Sequence, residues 1–414
     1  MKNTTTYQKV ASYEAEIGDV KKVLLLYSGG LDTSVMLKWI TDTYKAEVVT
    51  LTMDLGQQCD DLLAIQKKAL KFGAKEAIVL DVKDEFAQKY IALGIKANAS
   101  YQGEYHLSTP IGRAIIAAKA VEVAKQVGAD AIAHGCTGKG NDQVRLDGYM
   151  MVLNPDIKII APVREWNMDR NEEIAYAQKH GIPTPASMDF PYSVDDNMWG
   201  MTWEGGEIED PKNIPLIKNF LTTYTLASKA PDAEEFVTVS FEKGVPSKIN
   251  GESMKLSKLI TTLNSLAGKH GVGVVHMYED RLVGLKDRGV YELPGAHVII
   301  SAHKALEQYV STRTLNELKN HMDIKWAYLC YGAQWFDPAF SAINAFNDSV
   351  NERVTGEVTV KLYKGSATVV AMTSPHALHH ASFTTSGGYG YNVNASAGFI
   401  EVYSLQMKLA NQVK

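Results

Sequence analysis

The apolar positions of this 414-residue chain change period again and again, and the changes mark its elements. Val23 to Leu26 is an unbroken apolar run, the pattern of a parallel strand covered on both faces. It stops at Ser28-Gly29-Gly30, and after Asp32 the spacing of Val35, Met36, Leu37, Trp39 and Ile40 is helical. The alternation continues with a predicted strand Val48–Met53, a helix Asp61–Phe72 closed by Gly73 and a strand Ala77–Leu80. A helix from Ile111 to Val127 ends at Gly128, and strands follow at Ala131–Ala133 and Ile157–Ala161, the latter stopped by Pro162. Asn171–His180 reads as a helix closed by Gly181. Strands alternating with helices predict an α/β fold with a doubly wound, mainly parallel sheet, whose ligands sit beyond the carboxyl ends of its strands.

Between Ile182 and Pro215 the periodicity is lost. Five prolines and three glycines punctuate a polar, aromatic-rich stretch, which reads as a long functional loop, with Trp199 and Trp203 arguing against disorder. A second, α+β region then opens with a strand Phe236–Phe241 and a Gly244-Val245-Pro246 turn. A helix Leu256–Ala267, a Gly-rich stretch, helices His297–Thr312 and Leu315–Trp326 and a hairpin around Lys364-Gly365-Ser366 follow. The last segment, Ala397–Val413, is partly amphipathic, with Leu405, Met407 and Leu409 as apolar positions for an arm that reaches a neighbouring subunit.

Composition narrows the class. Hydrophobic residues at 45% and charged residues at 21% are ordinary for a globular protein, and the length calls for more than one core. A net charge of −5 offers no basic excess to neutralise a nucleic acid. Cys59, Cys136 and Cys330 are scattered without CxxC spacing, which suits a reducing cytoplasm and neither a disulfide framework nor a zinc site. The polar first twenty residues carry no signal-peptide core, and no apolar run approaches membrane-spanning length.

Two loops carry the chemistry. A strand that delivers Ser28-Gly29-Gly30 onto a helix N-terminus is an anion site, because free backbone N–H groups and the helix dipole face the ligand. Its spacing is neither GxGxxG nor GxxxxGK[ST]. The second loop, His134-Gly-Cys-Thr-Gly-Lys-Gly-Asn-Asp142, follows a predicted strand and leads to Arg145. It offers Thr137, Lys139, Asn141, Asp142 and Arg145, donors and acceptors that suit the ammonium and carboxylate ends of a zwitterion. On its own, such a loop is as readily a solvated surface loop.

SGGLDTS resembles the phosphate loop of the PP-loop ATP pyrophosphatases. With STPIGRA (108–114), HGCTGKGNDQVR, PYSVDDNMWG (191–200) and the segment 279–295 in the same order, the chain from about Val23 onward resembles the argininosuccinate synthase family. The resemblance implies a ligase that joins citrulline and aspartate at the expense of ATP, through a citrullyl-AMP intermediate, with release of AMP and pyrophosphate. It also implies Mg²⁺ carried by ATP with no separate metal site, and a cytoplasmic homotetramer without nucleic-acid or membrane partners.

By motif, ATP falls on Leu26, Tyr27, Ser28, Gly29, Gly30, Leu31, Asp32, Thr33 and Ser34, with Met53 and Gly135 added and Thr137, Asp142 and Asp195 completing the set. Thr137, Asn141 and Asp142 match the aspartate site. Tyr105, Asn141, Arg145, Ser193, Thr202, Glu204, Glu279 and Tyr291 match the citrulline site. Asp32 and Asp142 are the residues implied in catalysis. The division implied is an extension 1–20, a nucleotide-binding domain 21–184, a synthetase and multimerisation domain 185–390 and an arm 391–414.

Taken singly, several of these residues have plainer readings. Arg145 fits a surface ion pair, Tyr105 and Tyr291 fit core residues, Glu279 an exposed charge and Ser193 a turn. Leu26, Pro110 and Cys136 depart from the family pattern, and Pro110 removes one donor near citrulline. Another PP-loop adenylylating enzyme, amidating or thiolating, is the alternative reading; it calls for a glutaminase domain, catalytic cysteines or a basic RNA surface, none of which the chain displays. A nucleotide-responsive binding protein without turnover is a third.

Overall fold

The computed structural model describes residues 7–58, 61–166, 168, 170–184, 191–215, 222–383 and 390–413. Cys59 and the domain-boundary residue Pro185 lie outside them.

The first half runs β1 (Lys22–Leu26), α1 (Leu31–Tyr44), β2 (Glu47–Asp54), α2 (Leu62–Lys71) and β3 (Glu76–Asp81). Short helices α3 (Lys83–Glu85) and α4 (Ala92–Lys96) flank a π-helical stretch, and α5 (Ser108–Val127), β4 (Ala131–Ala133), α6 (Asp142–Leu153), β5 (Lys158–Ile160), α7 (Pro162–Glu165) and α8 (Arg170–Lys179) follow. The expected elements are all present to within a few residues. Gly73, Gly128 and Gly181 each close a helix at positive φ, as their positions predicted.

The strands form one parallel sheet in the order β3-β2-β1-β4-β5. Alternation along β1 sends Val23 and Leu25 toward α1 and α2, and Leu24 toward the core that α5 and α6 complete on the other face. The sheet is therefore doubly wound. Its order reverses between β1 and β4, so the crevice beyond those two strands is the expected ligand position. Both chemical loops open there.

The second half contains β6 (Tyr192–Asn197), β7 (Gly200–Gly205), β8 (Glu235–Glu242), β9 (Val245–Ile249), β10 (Glu252–Ser253), α9 (Leu256–Lys269), β11 (Val274–Asp280) and β12 (Lys286–Glu292). Then come α10 (Pro294–Val310), α11 (Arg313–Tyr331), α12 (Pro338–Asn351), β13 (Gly356–Tyr363), β14 (Ser366–Thr373), α13 (Ala395–Tyr403) and α14 (Leu405–Gln412). The strands form two antiparallel sheets, β11-β12-β7-β6 and β10-β9-β8-β13-β14.

Four readings change. The supposed loop 182–215 holds the β6–β7 hairpin, an edge of the four-stranded sheet. The turn read as Gly244-Val245-Pro246 is Lys243-Gly244, both at positive φ, while Val245 and Pro246 already belong to β9. The sequence reading assigns no element to the β11–β12 hairpin or to α12. The segment before β1 is also more than an extension. Ala15 N–H donates to Ile159 O at 3.0 Å and Ile159 N–H to Tyr13 O at 2.9 Å, so residues 13–15 extend the sheet beyond β5.

Candidate active site

The turn after β1 leaves the start of α1 without a side-chain cap, with Gly30 N–H resting on Ser28 Oγ at 3.4 Å. Gly30 is the N-cap of that helix. The hydroxyls of the turn bond inward: Tyr27 Oη lies 2.9 Å from Ser34 Oγ, and Ser34 Oγ donates to Gly30 O at 2.7 Å. Gly29 has φ +80, and a Cβ there would lie 2.8 Å from the Ile65 side chain, so α2 packs against a position only glycine fills. Lys68 Nζ donates to Gly29 O at 2.5 Å and adds a cation behind the turn. Asp32 carries the one carboxylate of the turn, and it pairs with Arg170, which also holds Glu173 at 2.8 Å. Leu31 points away into a small apolar cluster with Val35, Ala177 and Ile182, so only its backbone serves a ligand.

A cavity of about 420 Å³ opens beside this turn. Leu26, Tyr27, Ser28, Thr33 and Met53 line it with Ile116, Leu146, Gly135 and Cys136, an apolar slot with a polar end. A second cavity of about 330 Å³ abuts it. Tyr105, Thr137, Asn141, Asp142, Arg145, Ser193, Thr202, Glu204 and Glu279 line that one. Arg113, Gly135, Cys136 and Asp195 belong to both walls.

Register explains the second cavity. Ser193 pairs with Glu204 and Asp195 with Thr202 across the β6–β7 ladder, so these four side chains share one face. Met201 and Trp203 alternate to the other face and pack with Val290. Tyr291 pairs with Thr202 but does not line the cavity: fully buried, its ring lies 4.3 Å from that of Tyr105 and supports it from behind.

Arg145 is buried rather than a surface ion pair. Its Nη1 donates to Asp142 Oδ1 at 2.8 Å, while Nε and Nη2 both donate to Tyr331 O. Asn141 donates to Tyr331 Oη at 2.8 Å and accepts from Leu282 N–H at 2.8 Å, which ties the second loop to the β11–β12 turn. Tyr331 Oη in turn donates to Glu279 Oε2 at 2.5 Å. Burial works against the charge of Asp142, yet the Arg113 and Arg145 guanidiniums prevail and hold its carboxyl down at about 2. Glu204 goes the other way: burial pushes it up to about 7, with Arg281 opposing and Glu279 and Asp287 adding to the rise.

Behind the loop, His134 Nδ1 accepts the Cys136 N–H at 3.1 Å, so Nε2 carries the proton it shares with Asp147 at 2.5 Å. Arg164 and Tyr13 complete the coordination of Asp147 at 2.8 and 3.2 Å. The Pro110 departure is harmless to the helix, since it falls in the first turn of α5, where N–H groups have no intrahelical partner. Thr109 beside it lines the cavity, with its hydroxyl 3.2 Å from that of Thr202.

Sequence reasoning passed over Arg113, Arg281, Thr109, Tyr331 and Arg170. Arg113, Thr109 and Arg281 stand inside motifs already singled out, so the signal was present. Tyr331, at the end of α11, carried none. Among the described residues no three His, Cys, Asp or Glu side chains gather as a metal site, and no helix is long and apolar enough to cross a membrane.

A doubly wound sheet with an uncapped SGG turn at its switch point, opening into an apolar slot beside a charged pocket, defines an ATP-using enzyme of the PP-loop class. Residues 22–183 match the model of the arginosuccinate synthase N-terminal HUP domain, and 192–410 that of the arginosuccinate synthase C-terminal domain. The chain belongs to the argininosuccinate synthase family. An argininosuccinate synthase of Pyrococcus furiosus is 47% identical over 94% of both chains. That of Rubrobacter xylanophilus is 48% identical over 93% of this chain and 94% of its own. That of Streptococcus mutans is 45% identical over 95% and 98%. Among solved structures, a U34-tRNA thiolase from Methanococcus maripaludis overlaps 40% of this chain and 60% of its own at 18% identity, with a TM-score of 0.26.

Proposed function

We propose that the two abutting cavities run the family's reaction as two successive half-reactions. As a member of this family the protein joins citrulline and aspartate to argininosuccinate and converts ATP to AMP and pyrophosphate. The observation that carries the two-step reading is the shared wall of Arg113, Gly135, Cys136 and Asp195 between slot and pocket.

In the first half-reaction the ureido oxygen of citrulline bonds to the α-phosphorus and the bond to the β-phosphate oxygen breaks, releasing pyrophosphate. The free N–H groups of the turn after Gly30 receive the pyrophosphate charge, and Leu26, Met53 and Leu146 enclose the base. In the second, the aspartate nitrogen bonds to the ureido carbon, the carbon–oxygen bond breaks, and AMP departs with the former ureido oxygen. Asp142 stays ionised at neutral pH and is far too acidic to act as a base there, so its part is to hold the amine in line rather than to deprotonate it. Arg145, Glu204, Glu279 and Ser193 surround citrulline, and Thr137 and Asn141 surround aspartate. Magnesium, a hard cation for oxygen ligands, would offset phosphate charge; Asp32, displaced from Arg170, suits it on the ATP side.

The domain division at about residue 184, a homotetramer with an arm from 391 onward and a cytoplasmic setting belong to the same reading. The free thiols of Cys136 and Cys330 suit the cytoplasmic setting. The test is isotopic. Oxygen-18 in the ureido group must appear in the AMP phosphate, and pyrophosphate must be released from ATP and citrulline without aspartate. Unlabelled AMP overturns the adenylylated intermediate.

A further inference from the structure

We propose that Arg113 is a catalytic residue of the adenylylation step and the group that couples the nucleotide slot to the amino-acid pocket. This rests on the assignment of slot and pocket just made. Arg113 lies on α5, its side chain 17% exposed, on the wall that both cavities share. One nitrogen, Nη2, serves both of its acceptors, Asp142 Oδ2 at 2.7 Å and Asp195 Oδ1 at 2.6 Å. Its Nε–H is buried and has no partner among the described residues. A guanidinium has five donors in a fixed fork, and a buried donor left unpaired is costly unless a ligand completes it. An oxygen of the α-phosphate, placed at the seam where the ureido oxygen must meet phosphorus, is an acceptor of the right charge.

The carboxylates around it explain the coupling. Asp142 is claimed by two guanidiniums, Arg113 and Arg145. An arriving ammonium group takes over Asp142 and frees Arg113 for phosphate. An arriving phosphate draws Arg113 off Asp142 and opens it to the ammonium. Each ligand removes the competitor of the other, so the two bind cooperatively.

The experiment compares Arg113→Gln and Arg113→Lys with the unaltered protein, each first checked for folding by its melting temperature. Pyrophosphate release from ATP and citrulline without aspartate should fall about a hundredfold or more in Arg113→Gln, the scale of losing one preorganised charge donor. Citrulline KM should stay nearly constant, and Arg113→Lys should recover part of the rate. In the unaltered protein, calorimetry should show aspartate binding about fivefold tighter or more once α,β-methylene-ATP is bound, the low end of ordinary coupling. A normal pyrophosphate burst in Arg113→Gln, or equal aspartate affinity with and without the analogue, overturns the proposal. Absence of pyrophosphate release in the unaltered protein overturns the two-step reading instead.

Discussion

Arg145 spends three of its donors on Asp142 and the Tyr331 carbonyl, and its guanidinium lies 4.9 Å from the centre of the Tyr331 ring. Its removal therefore does two things: it takes a charge from the pocket and leaves Asp142 to Arg113 alone. Arg145→Ala should raise citrulline KM by about tenfold or more, the equivalent of a charge-assisted contact of ~1.5–3 kcal/mol. Aspartate KM should rise as well, and ATP KM should change least; initial-rate measurements of all three settle the order, and a rise confined to ATP contradicts the placement. Asp142→Asn should slow the second half-reaction more than the first, so pyrophosphate release outruns argininosuccinate formation in a single turnover. Matched losses in both steps count against it. Glu204 supplies a pH signature. Burial holds it protonated up to about pH 7, and its ionised form, with no O–H and a full negative charge, is the stronger acceptor of N–H donors. Citrulline KM should thus fall as pH rises through about 7 and climb below it, and Glu204→Gln should flatten that limb. A profile unchanged by Glu204→Gln removes Glu204 from citrulline.

Among elements, the turn after β1 and the β6–β7 hairpin had opposite visibility. The turn announces itself because Gly29 must adopt φ +80 against Ile65, and its apolar strand and helix flank it in sequence. Gly29→Ala should weaken ATP binding and lower the melting temperature together, since strain and a clash with α2 act on the same backbone; unaltered ATP KM would show that the turn tolerates displacement. The hairpin stays hidden because the alternation in each strand, Tyr192 to Asp195 and Met201 to Glu204, lasts only four residues. Its inward face looks into a polar cavity, so Ser193 and Asp195 stand where a core strand would carry valine. The helix Pro338–Asn351 did carry a signal, an Asp337 cap with Pro338 at its first position, that periodicity alone passes over.

At the scale of the whole molecule, one core runs from Leu24 to Leu362 through both halves, and a buried polar cluster crosses them. Asn98 donates to Glu307 and Asp323 at 2.9 Å each, and Lys319 pairs with both carboxylates. The pocket depends on this union, because Asp142 and Arg145 come from the first half and Glu204 and Glu279 from the second. The arm is the counter-case. Phe399, Ile400, Tyr403, Met407 and Leu409 are more than half exposed on α13 and α14, an apolar surface that calls for a partner. Ending the chain before Ser404 should shift the particle to a smaller size in light scattering; an unchanged mass leaves the arm without an assembly role.

Sequence periodicity by itself determined the parallel sheet, the helices that wrap it and the two loops at its switch point. Those features rest on local spacing and on glycines whose backbone demands are local too. The residues of the phosphate turn and of the second loop were legible for the same reason. What only the tertiary structure decided is which distant groups meet: Tyr331 beneath Arg145, Arg113 between two carboxylates, Tyr291 behind Tyr105 rather than in the pocket. These contacts join residues 29 to 186 positions apart. Burial and ion pairing then set opposite proton affinities on Asp142 and Glu204, carboxylates whose isolated chemistry is nearly the same.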